Sequence, residues 1–177
     1  EIYTSTDSVS WTRRYSTNVS NYDLMGVAYG NDTFVAVGLY DAVLTSPDGS
    51  DWIKTSTAFE IRDVAFGRGI FVGAAVNHLL TSPDGIHWTA KASFPRVQYL
   101  GTRFSRIVFG NGLFAAIGND TEQDRDVVYT SPDGVVWSAH ALDTGDWYYV
   151  INDISYGNGT FLIVGDNGHV FSSNDGA

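Results

Sequence analysis

The stretch LTSPDGSDW, residues 44–52, returns almost unchanged as LTSPDGIHW at residues 80–88 and as YTSPDGVVW at residues 129–137. Pro favours the first central position of a tight turn, and Gly accepts the left-handed conformation that closes a hairpin. Asp favours the next position of the turn, and the Ser hydroxyl can bond nearby main-chain N–H groups. The three copies therefore predict three equivalent structural hairpins, formed by Ser46, Asp48, Gly49 and Trp52, by Ser82, Asp84, Gly85 and Trp88, and by Ser131, Asp133, Gly134 and Trp137.

The nonapeptide belongs to a larger repeated unit. Two apolar segments joined by a short turn precede each copy: GVAYGNDTFVAVG from residue 26, DVAFGRGIFVGAA from 63 and RIVFGNGLFAAIG from 106, with a fourth, DISYGNGTFLIVG, from 153. Each unit thus predicts four short strands. The tryptophans at positions 11, 52, 88 and 137 are separated by 41, 36 and 49 residues. Four-stranded repeats of about 40 residues are typical of β-propeller blades.

The second strand of each unit favours a propeller over a β-sandwich. These strands are FVAVG (34–38), IFVGAA (70–75), LFAAIG (113–118) and FLIVG (161–165). A sandwich strand has one wet face and alternates apolar with polar residues, whereas these strands are apolar on both faces. We therefore predict an all-β fold, a β-propeller of four-stranded antiparallel blades in which neighbouring blades cover each inner strand.

The two ends of the chain match the same part of the unit. EIYTSTDSVSW at the start and HVFSSNDGA at the end each correspond to a third strand followed by the Ser–Asp turn. We expect one propeller domain over residues 1–177, with units at about 22–57, 61–92, 104–141 and 151–177, the last completed by residues 1–16. The N- and C-terminal strands would then pair to close the ring. The alternatives are a fragment of a larger propeller in a longer parent chain, and a homo-oligomer.

The first turn, Thr6-Asp7-Ser8, lacks both Pro and Gly. Ser8 must then adopt a positive φ, which is unfavourable for a residue with a side chain. We expect this turn to be the least stable of the five.

The pattern Ser-x-Asp-Gly-x-x-Trp resembles the Asp-box turn of bacterial neuraminidase-type repeats. Strands such as VAVG followed by TSPDGxxW hairpins also resemble the blades of many bacterial secreted propellers. The resemblance covers nearly the whole chain. It implies a β-propeller of an extracellular bacterial protein, and a hairpin motif that lies away from any active site.

The composition narrows the function classes. The formal net charge of -10 argues against nucleic acid, which requires clustered Lys and Arg. No apolar run approaches the ~20 residues of a membrane span, so membrane insertion is not expected. With no cysteine, the chain has neither a disulfide framework nor a thiolate metal site. Together with the resemblance, these features favour a secreted or cell-surface protein with neutral or cationic partners.

The strand order predicts two different faces of the propeller. Turns between first and second strands and between third and fourth strands share one face, which we call the turn face. The variable segments share the opposite face, the loop face, where binding residues are expected. Its ligand-binding candidates are Trp147, Tyr148, Tyr99, Tyr40, Asp41, Asn77, His78, Arg103, Asp166 and His169. Aromatic side chains with a few polar groups suit a carbohydrate site.

Metal and catalytic sites have weaker support in the sequence. Asp120, Glu122 and Asp124 could offer oxygen ligands to Ca²⁺, and the alternative is a solvated acidic loop. No other cofactor is expected. Glycosidases need two carboxylates a few ångströms apart, and a neuraminidase-type site would also take arginines from separate blades. Arg96, Arg103 and Arg106 instead fall in one segment. We therefore expect no catalytic residues and favour a protein that is not an enzyme.

The function predicted from the sequence is a non-catalytic extracellular binding or scaffold module. It would recognise carbohydrate or a protein surface through the loop face. One alternative is a fragment of a glycoside hydrolase or sialidase-like propeller enzyme. A second alternative is a purely structural spacer.

Overall fold

The computed structural model of the chain describes residues 1–16, 23–93, 103–120, 125–142 and 151–176. Two strands, β1 (Ile2–Thr4) and β2 (Thr12–Tyr15), form an N-terminal hairpin. Blade 1 follows, with β3 (Leu24–Gly30), β4 (Thr33–Gly38), β5 (Ala42–Ser46) and β6 (Ile53–Ser56). Blade 2 contains β7 (Ile61–Gly67), β8 (Ile70–Ala75), β9 (His78–Ser82) and β10 (Thr89–Ser93).

Blade 3 contains β11 (Arg103–Gly110), β12 (Leu113–Asp120), β13 (Arg125–Ser131) and β14 (Ser138–Ala141). Blade 4 contains β15 (Ile151–Gly157), β16 (Thr160–Gly165) and β17 (Val170–Ser173), with a short 3₁₀ turn at Asp166–Gly168. Within every sheet the strands lie in sequence order and pair antiparallel. The predicted all-β architecture of four-stranded antiparallel blades is confirmed.

Three separate hydrophobic cores hold the blades together, one between each neighbouring pair. Between blades 1 and 2, for example, Val35 and Val37 pack with Ile61, Val64 and Phe71. The corresponding cores form between blades 2 and 3 and between blades 3 and 4. The first strands of successive blades also contact one another, β3 with β7, β7 with β11, and β11 with β15. The blades therefore stack radially, with their first strands innermost.

The second strands behave as their two-sided apolar pattern predicts. In β8, Phe71 and Ala75 belong to the core shared with blade 1, whereas Val72 and Ala74 belong to the core shared with blade 3. All four side chains are buried. Because successive residues of a strand point to opposite faces, burial of both sets requires a blade on each side.

The Ser-Pro-Asp-Gly hairpins close through a repeated set of hydrogen bonds. In blade 2 the Ser82 hydroxyl accepts from the Gly85 N–H at 2.8 Å, and Asp84 Oδ1 accepts from the Ile86 and His87 N–H groups, both at 2.8 Å. Trp88 Nε1 donates to the Gly85 carbonyl at 3.0 Å. Blades 1 and 3 repeat this arrangement. These hydrogen bonds join the Ser, Asp and Trp side chains of each hairpin to its own main chain.

The hairpin tryptophans Trp52, Trp88 and Trp137 are half-buried. Trp88 lies over the second strand of its own blade, since a Cβ added to Gly73 of β8 would lie 3.0 Å from Trp88 Cζ3. Trp88 also packs against the core between blades 1 and 2, and Trp137 packs against the core between blades 2 and 3. The indoles therefore lie beside the space between neighbouring blades.

The ends of the described chain do not pair with each other. The hairpin β1–β2 is a sheet by itself, and β17 pairs with β16 alone. The expected ring closure by N- and C-terminal strands is thus not seen among these residues. The hairpin packs instead on blade 1, since a Cβ added to Gly49 would lie 3.5 Å from Thr4 Cγ2. In its turn, Ser8 has the predicted positive φ of 61°.

Candidate functional site

Hydrogen bonds between neighbouring blades occupy the turn face. The Asn31 amide, in the turn between β3 and β4, donates to the Gly69 and Pro83 carbonyls of blade 2 at 2.9 and 3.0 Å. Asn111 of blade 3 donates in the same way to the Asn174 carbonyl of blade 4 at 2.9 Å. These bonds confirm that the two kinds of turn share one face. They also show that polar groups of this face join the blades.

The loop face begins at a tight turn between β4 and β5. Tyr40 and Asp41 both adopt the left-handed conformation, with φ of 56° and 60°. The Ala42 N–H closes this turn by donating to the Leu39 carbonyl at 3.3 Å, and the Leu39 N–H donates to the Asp23 carbonyl at 2.9 Å. These hydrogen bonds fix the backbone of the turn, on which Tyr40 is 56% exposed and Asp41 is exposed.

The corresponding turn of blade 2 holds the predicted pair Asn77 and His78. Asn77 has a φ of 61° and is buried, and its Oδ1 has no hydrogen-bond partner among the described residues. His78 is half-buried, with Nδ1 2.9 Å from the Val76 carbonyl and its ring 5.1 Å from the Phe59 ring. His78 thus packs against the loop that enters blade 2.

In blade 4 the predicted residue Asp166 is the first residue of the 3₁₀ turn, and the predicted residue His169 follows the turn. The Asn152 amide donates to Asp166 Oδ1 at 2.9 Å, which ties this turn to the innermost strand. The His169 ring stacks on the Phe171 ring at 6.1 Å. Tyr40, Asn77 and Asp166 therefore lie in equivalent turns of three blades on one face.

A row of charged residues lies near the axis, where each innermost strand has a β-bulge. The bulges fall immediately before Gly26, Asp63, Arg106 and Asp153, which occupy the same position of the repeat. Arg106 Nε lies 3.5 Å from Asp153 Oδ1. Burial raises the pKa of the Asp63 carboxyl, and the positive charge of Arg106 acts in the opposite direction. The sequence prediction did not include Asp63 or Asp153 as site residues. Their shared place in the repeat was the signal that could have indicated them.

Asp63 has a structural task that explains its environment. Its Oδ1 accepts from the Val64 N–H at 2.9 Å, and its Oδ2 accepts from the Ile107 N–H of blade 3 at 3.0 Å. Burial raises the pKa of the Asp63 carboxyl, and these two hydrogen bonds act in the opposite direction. Because both oxygens are engaged by main-chain donors, Asp63 links two blades and is not positioned as a general acid or base.

A second buried carboxylate joins blades 3 and 4. Asp126 Oδ2 accepts from the Ile151 N–H at 2.6 Å, and Oδ1 accepts from the Asn119 amide at 3.2 Å. Asp126 is two residues beyond Asp124, the last of the three calcium candidates. Its carboxylate binds main-chain and amide donors of the protein.

Several predicted residues lie outside the described part of the chain. These are Trp147, Tyr148, Tyr99, Arg96, Glu122 and Asp124. Arg103 and Asp120 are described only as backbone positions in β11 and β12. Among the described residues, no group of three His, Asp or Glu side chains could hold a metal ion.

The described part of the loop face is acidic. Asp23, Asp41, Asp153 and Asp166 are exposed there. Arg106 is half-exposed and pairs with one of them. These carboxylates accord with the formal net charge of -10 for the whole chain, and carboxylates attract cationic groups.

Comparison with known proteins shows the fold. No family model matches the chain. No curated protein matches it. Among solved structures, YCF48 from Cyanidioschyzon merolae superposes with a TM-score of 0.63 at 16% identity, over 92% of this chain and 56% of that chain. A second YCF48 structure, described as bound to D1 peptide, gives a TM-score of 0.61 at 16% identity, over 89% of this chain and 53% of that one.

Two further structures have the same architecture. A nidogen/laminin complex matches with a TM-score of 0.66 at 13% identity, over 88% of this chain and 62% of that chain. The GH74 xyloglucanase from Xanthomonas campestris matches with a TM-score of 0.59 at 14% identity, over 84% of this chain and 26% of that chain. The neighbours are propeller-type proteins, and this chain spans about half the length of YCF48. In the described residues no helix is long and apolar enough to cross a membrane.

Proposed function

We propose that this chain is a non-catalytic module that binds a cationic peptide or protein surface through the loop face. The single observation that supports this most directly is the difference between the two faces. Asn31 and Asn111 of the turn face bond neighbouring blades, whereas the described loop face presents exposed carboxylates and the exposed ring of Tyr40. Interfaces with complementary charge associate faster and more selectively than neutral ones.

The structural neighbours give this proposal a precedent at the level of the fold. Propellers of this type include one described with a bound peptide and one described in a protein–protein complex. The aromatic ring of Tyr40 adds a second element, since Tyr is enriched at the centres of protein interfaces.

A charge-matched pair of double variants tests the proposal. Binding of the whole chain to a peptide library of graded net charge is measured at low and high salt. We expect basic peptides to bind, and binding to weaken as salt screens the charges. Asp23→Asn with Asp41→Asn should weaken it further. The control, Asp32→Asn with Asp51→Asn, removes the same charge from exposed turn-face positions and should leave binding unchanged. Equal loss in both variants would contradict a site on the loop face.

Carbohydrate binding is the second candidate. The observation that favours it is the exposed Tyr40 ring, together with a xyloglucanase among proteins of the same fold. A glycan array with the wild type, Tyr40→Ala and Trp147→Ala tests this candidate. Retention by particular glycans that is lost in Tyr40→Ala would favour sugar over peptide. Binding that neither substitution alters would count against it.

The remaining sequence predictions stay as proposals with their own tests. Hydrolysis of fluorogenic glycosides by the chain would favour the glycoside hydrolase alternative over a binding module. A chain that binds neither peptides nor glycans would favour the structural spacer. Secretion or cell-surface location is tested by fractionating cells that express the gene.

A further inference from the structure

The three blade–blade interfaces are built to one directional pattern. Each blade presents second- and third-strand residues to the next blade, which we call its forward face. In blade 1 these are Val35, Val37 and Val43, all fully buried. Each blade presents a first-strand residue to the preceding blade, its backward face. Val64, Ile107 and Ile154 occupy that place and are only 4%, 6% and 7% exposed.

Each of these two faces is open at one end of the described structure. On the forward face of blade 4, the residues equivalent to that buried trio are Leu162, Val164 and Val170, which are 44%, 40% and 60% exposed. On the backward face of blade 1, Val27 is 64% exposed. The two open faces are therefore the two halves of the interface that already occurs three times in the chain.

A contact between a glycine of one blade and an aromatic ring of the next blade also recurs along the chain, and it is incomplete at both ends. A Cβ added to Gly67 would lie 2.3 Å from Phe109 of the next blade, and one added to Gly110 would lie 2.1 Å from Tyr156. The next glycine in this series, Gly157, has nothing within 4 Å of an added Cβ. The first aromatic residue of the series, Tyr29, is 53% exposed. Each end thus has one half of this contact.

The hydrogen bonds that join each blade to the following blade are also incomplete at the two ends of the described structure. Within the chain, Asp63 accepts an N–H of the following blade, and Asn31 donates to carbonyls of the following blade. Their equivalents in blade 4 are Asp153 and Asn158, both exposed. The equivalent main-chain partners are in blade 1, at Val27 and in the turns of its turn face.

We infer that two copies of this chain bind head to tail, with the forward face of blade 4 of each copy against the backward face of blade 1 of the other. Tyr29 then packs on Gly157 of its partner, and Val27 packs on Leu162 and Val164 of the partner's β16. Such a contact is heterologous, so it closes only when the rotation completes a ring. Because one chain spans about half of the YCF48 propeller, two copies supply enough blades for one ring.

The N-terminal hairpin determines how the outer strands meet. Thr4 lies beside Gly49 as Thr130 lies beside Gly176 of the next blade, so β1 occupies the place of a third strand preceding blade 1. Between the hairpin and blade 1 is a groove of about 340 Å³, lined by residues that include Ile2, Leu24 and Val27. The inner strands of the partner enter on this side, and β1 then replaces β17 on β16 of the partner.

This exchange also fills a cavity. A space of about 210 Å³ between blades 3 and 4 is lined by residues that include Val128 and His140 of blade 3 and Ile154, Ile163 and Phe171 of blade 4. When β1 replaces β17, Tyr3 takes the place of Phe171 in this lining. Ile163 is equivalent to Gly73, on which Trp88 packs in blade 2. The hairpin residue Trp11, 61% exposed, would occupy this space in the partner.

Light scattering after gel filtration of the whole chain tests the inference. The wild type should have the mass of two chains. Val27→Asp and Leu162→Asp each place a charge in both interfaces of the pair, so each variant should have the mass of one chain and an unchanged circular dichroism spectrum. The control, Val136→Asp, alters a residue of similar exposure in a hairpin of the turn face and should remain a dimer. A monomeric wild type, or a mass that keeps rising with concentration, would overturn the closed pair.

Mixing the two variants separates the head-to-tail arrangement from misfolding and from symmetric dimers. An equimolar mixture of the Val27→Asp and Leu162→Asp chains contains one intact interface per pair, so a dimer should reappear. Two misfolded chains would remain unassociated. A symmetric pair of backward faces would be lost in Val27→Asp and retained in Leu162→Asp. Either result would overturn the head-to-tail arrangement.

A disulfide test addresses the strand exchange, and it is unambiguous because the chain has no cysteine. Val164 pairs with Val170 in β17, and Ile2 is the equivalent of Val170 in β1. Chains with Ile2→Cys and chains with Val164→Cys, mixed and oxidised, should form a disulfide between the two chains. A dimer that forms without this cross-link would overturn the replacement of β17 by β1.

Discussion

At the scale of the residue, one carboxylate organises each Ser–Asp–Gly hairpin. The pKa values of Asp48 and Asp133 are lowered chiefly by hydrogen bonds that main-chain N–H groups donate to their carboxylates. Burial acts against this at Asp84, but the His87 N–H, the His87 ring and the Ile86 N–H outweigh it and hold its pKa well below the usual range. The charged form of these side chains is thus part of the folded structure.

The hairpin tryptophans give a prediction at this scale. Replacing Trp88 by Ala removes a half-buried indole from Gly73 and the hydrogen bond to the Gly85 carbonyl. We expect the free energy of unfolding to fall by about 3 kcal/mol, since loss of a large aromatic leaves a cavity. Denaturant unfolding at a protein concentration that keeps the chain monomeric measures it.

Trp11→Ala is the matched control, because Trp11 occupies the equivalent position in the N-terminal hairpin and is exposed. Its cost should be about 0.5 kcal/mol or less, as for other surface positions. Equal costs at the two positions would contradict the structural role assigned to the indole of Trp88.

The residues of the turns could be predicted from the sequence, and those of the loops largely could not. Pro, Asp and Gly at fixed positions restrict a hairpin to one conformation by local geometry alone, and Ser8 confirmed the expected positive φ. The carboxylates of Asp63 and Asp126 instead bind N–H groups 44 and 25 residues away in sequence. A partner that distant depends on how blades stack, which no local pattern specifies.

At the scale of the element, the innermost strands meet the next blade through a glycine that has no room for a side chain. Gly67→Ala would place a methyl group 2.3 Å from the Phe109 ring. We expect a loss of about 1–3 kcal/mol, because overpacking forces neighbouring side chains from their positions. Thermal or denaturant unfolding of the monomeric chain gives the value.

Gly157→Ala is the internal comparison for this prediction. It makes the same change at the same position of blade 4, where, in the monomeric chain, no described residue lies within 4 Å of an added Cβ. With no contact to disturb, Ala should leave stability unchanged or raise it by about 0.4–1 kcal/mol, because it restricts the unfolded chain. A similar destabilisation at both glycines would show that the backbone, and not the ring of the next blade, requires glycine.

The strands of the blades could be predicted from the pattern of apolar residues in the sequence. The pairing of the terminal strands could not. Apolar residues on both faces of the second strands required a neighbour on each side, and three inter-blade cores confirm it. Both terminal segments have the pattern of a third strand, so the sequence could not decide which of them would pair with β16. In the structure β17 does so, since it follows β16 through a short turn.

At the scale of the whole molecule, the pH dependence of stability follows from carboxylates with opposite shifts. Asp7, Asp48, Asp84 and Asp133 have pKa values below the ordinary 3.8, so between those values and 3.8 the unfolded chain binds more protons. Stability should therefore fall as the pH falls below 3.8. The pKa of Asp63 is raised, so its share of stability should fall as the pH rises above 3.8.

Urea unfolding across this range measures both limbs. Asp84→Asn should flatten the decline on the acid side, and Asp63→Asn should remove the shallow decline on the other side. Unchanged slopes in both variants would show that other groups control the pH dependence.

The three separate cores have a consequence for how the molecule loosens. Blades 2 and 3 each share two cores with neighbours, while blades 1 and 4 share one. In the monomeric chain, which is a linear array of this kind, fluctuations begin at the ends and fade toward the middle. Amide hydrogens of β8 and β12 should therefore exchange with deuterium most slowly, and those of β16 faster, although all three strands have the same apolar sequence pattern. Protection in this fold would thus report the number of neighbours a blade has, and any molecule that caps an end should slow exchange there first.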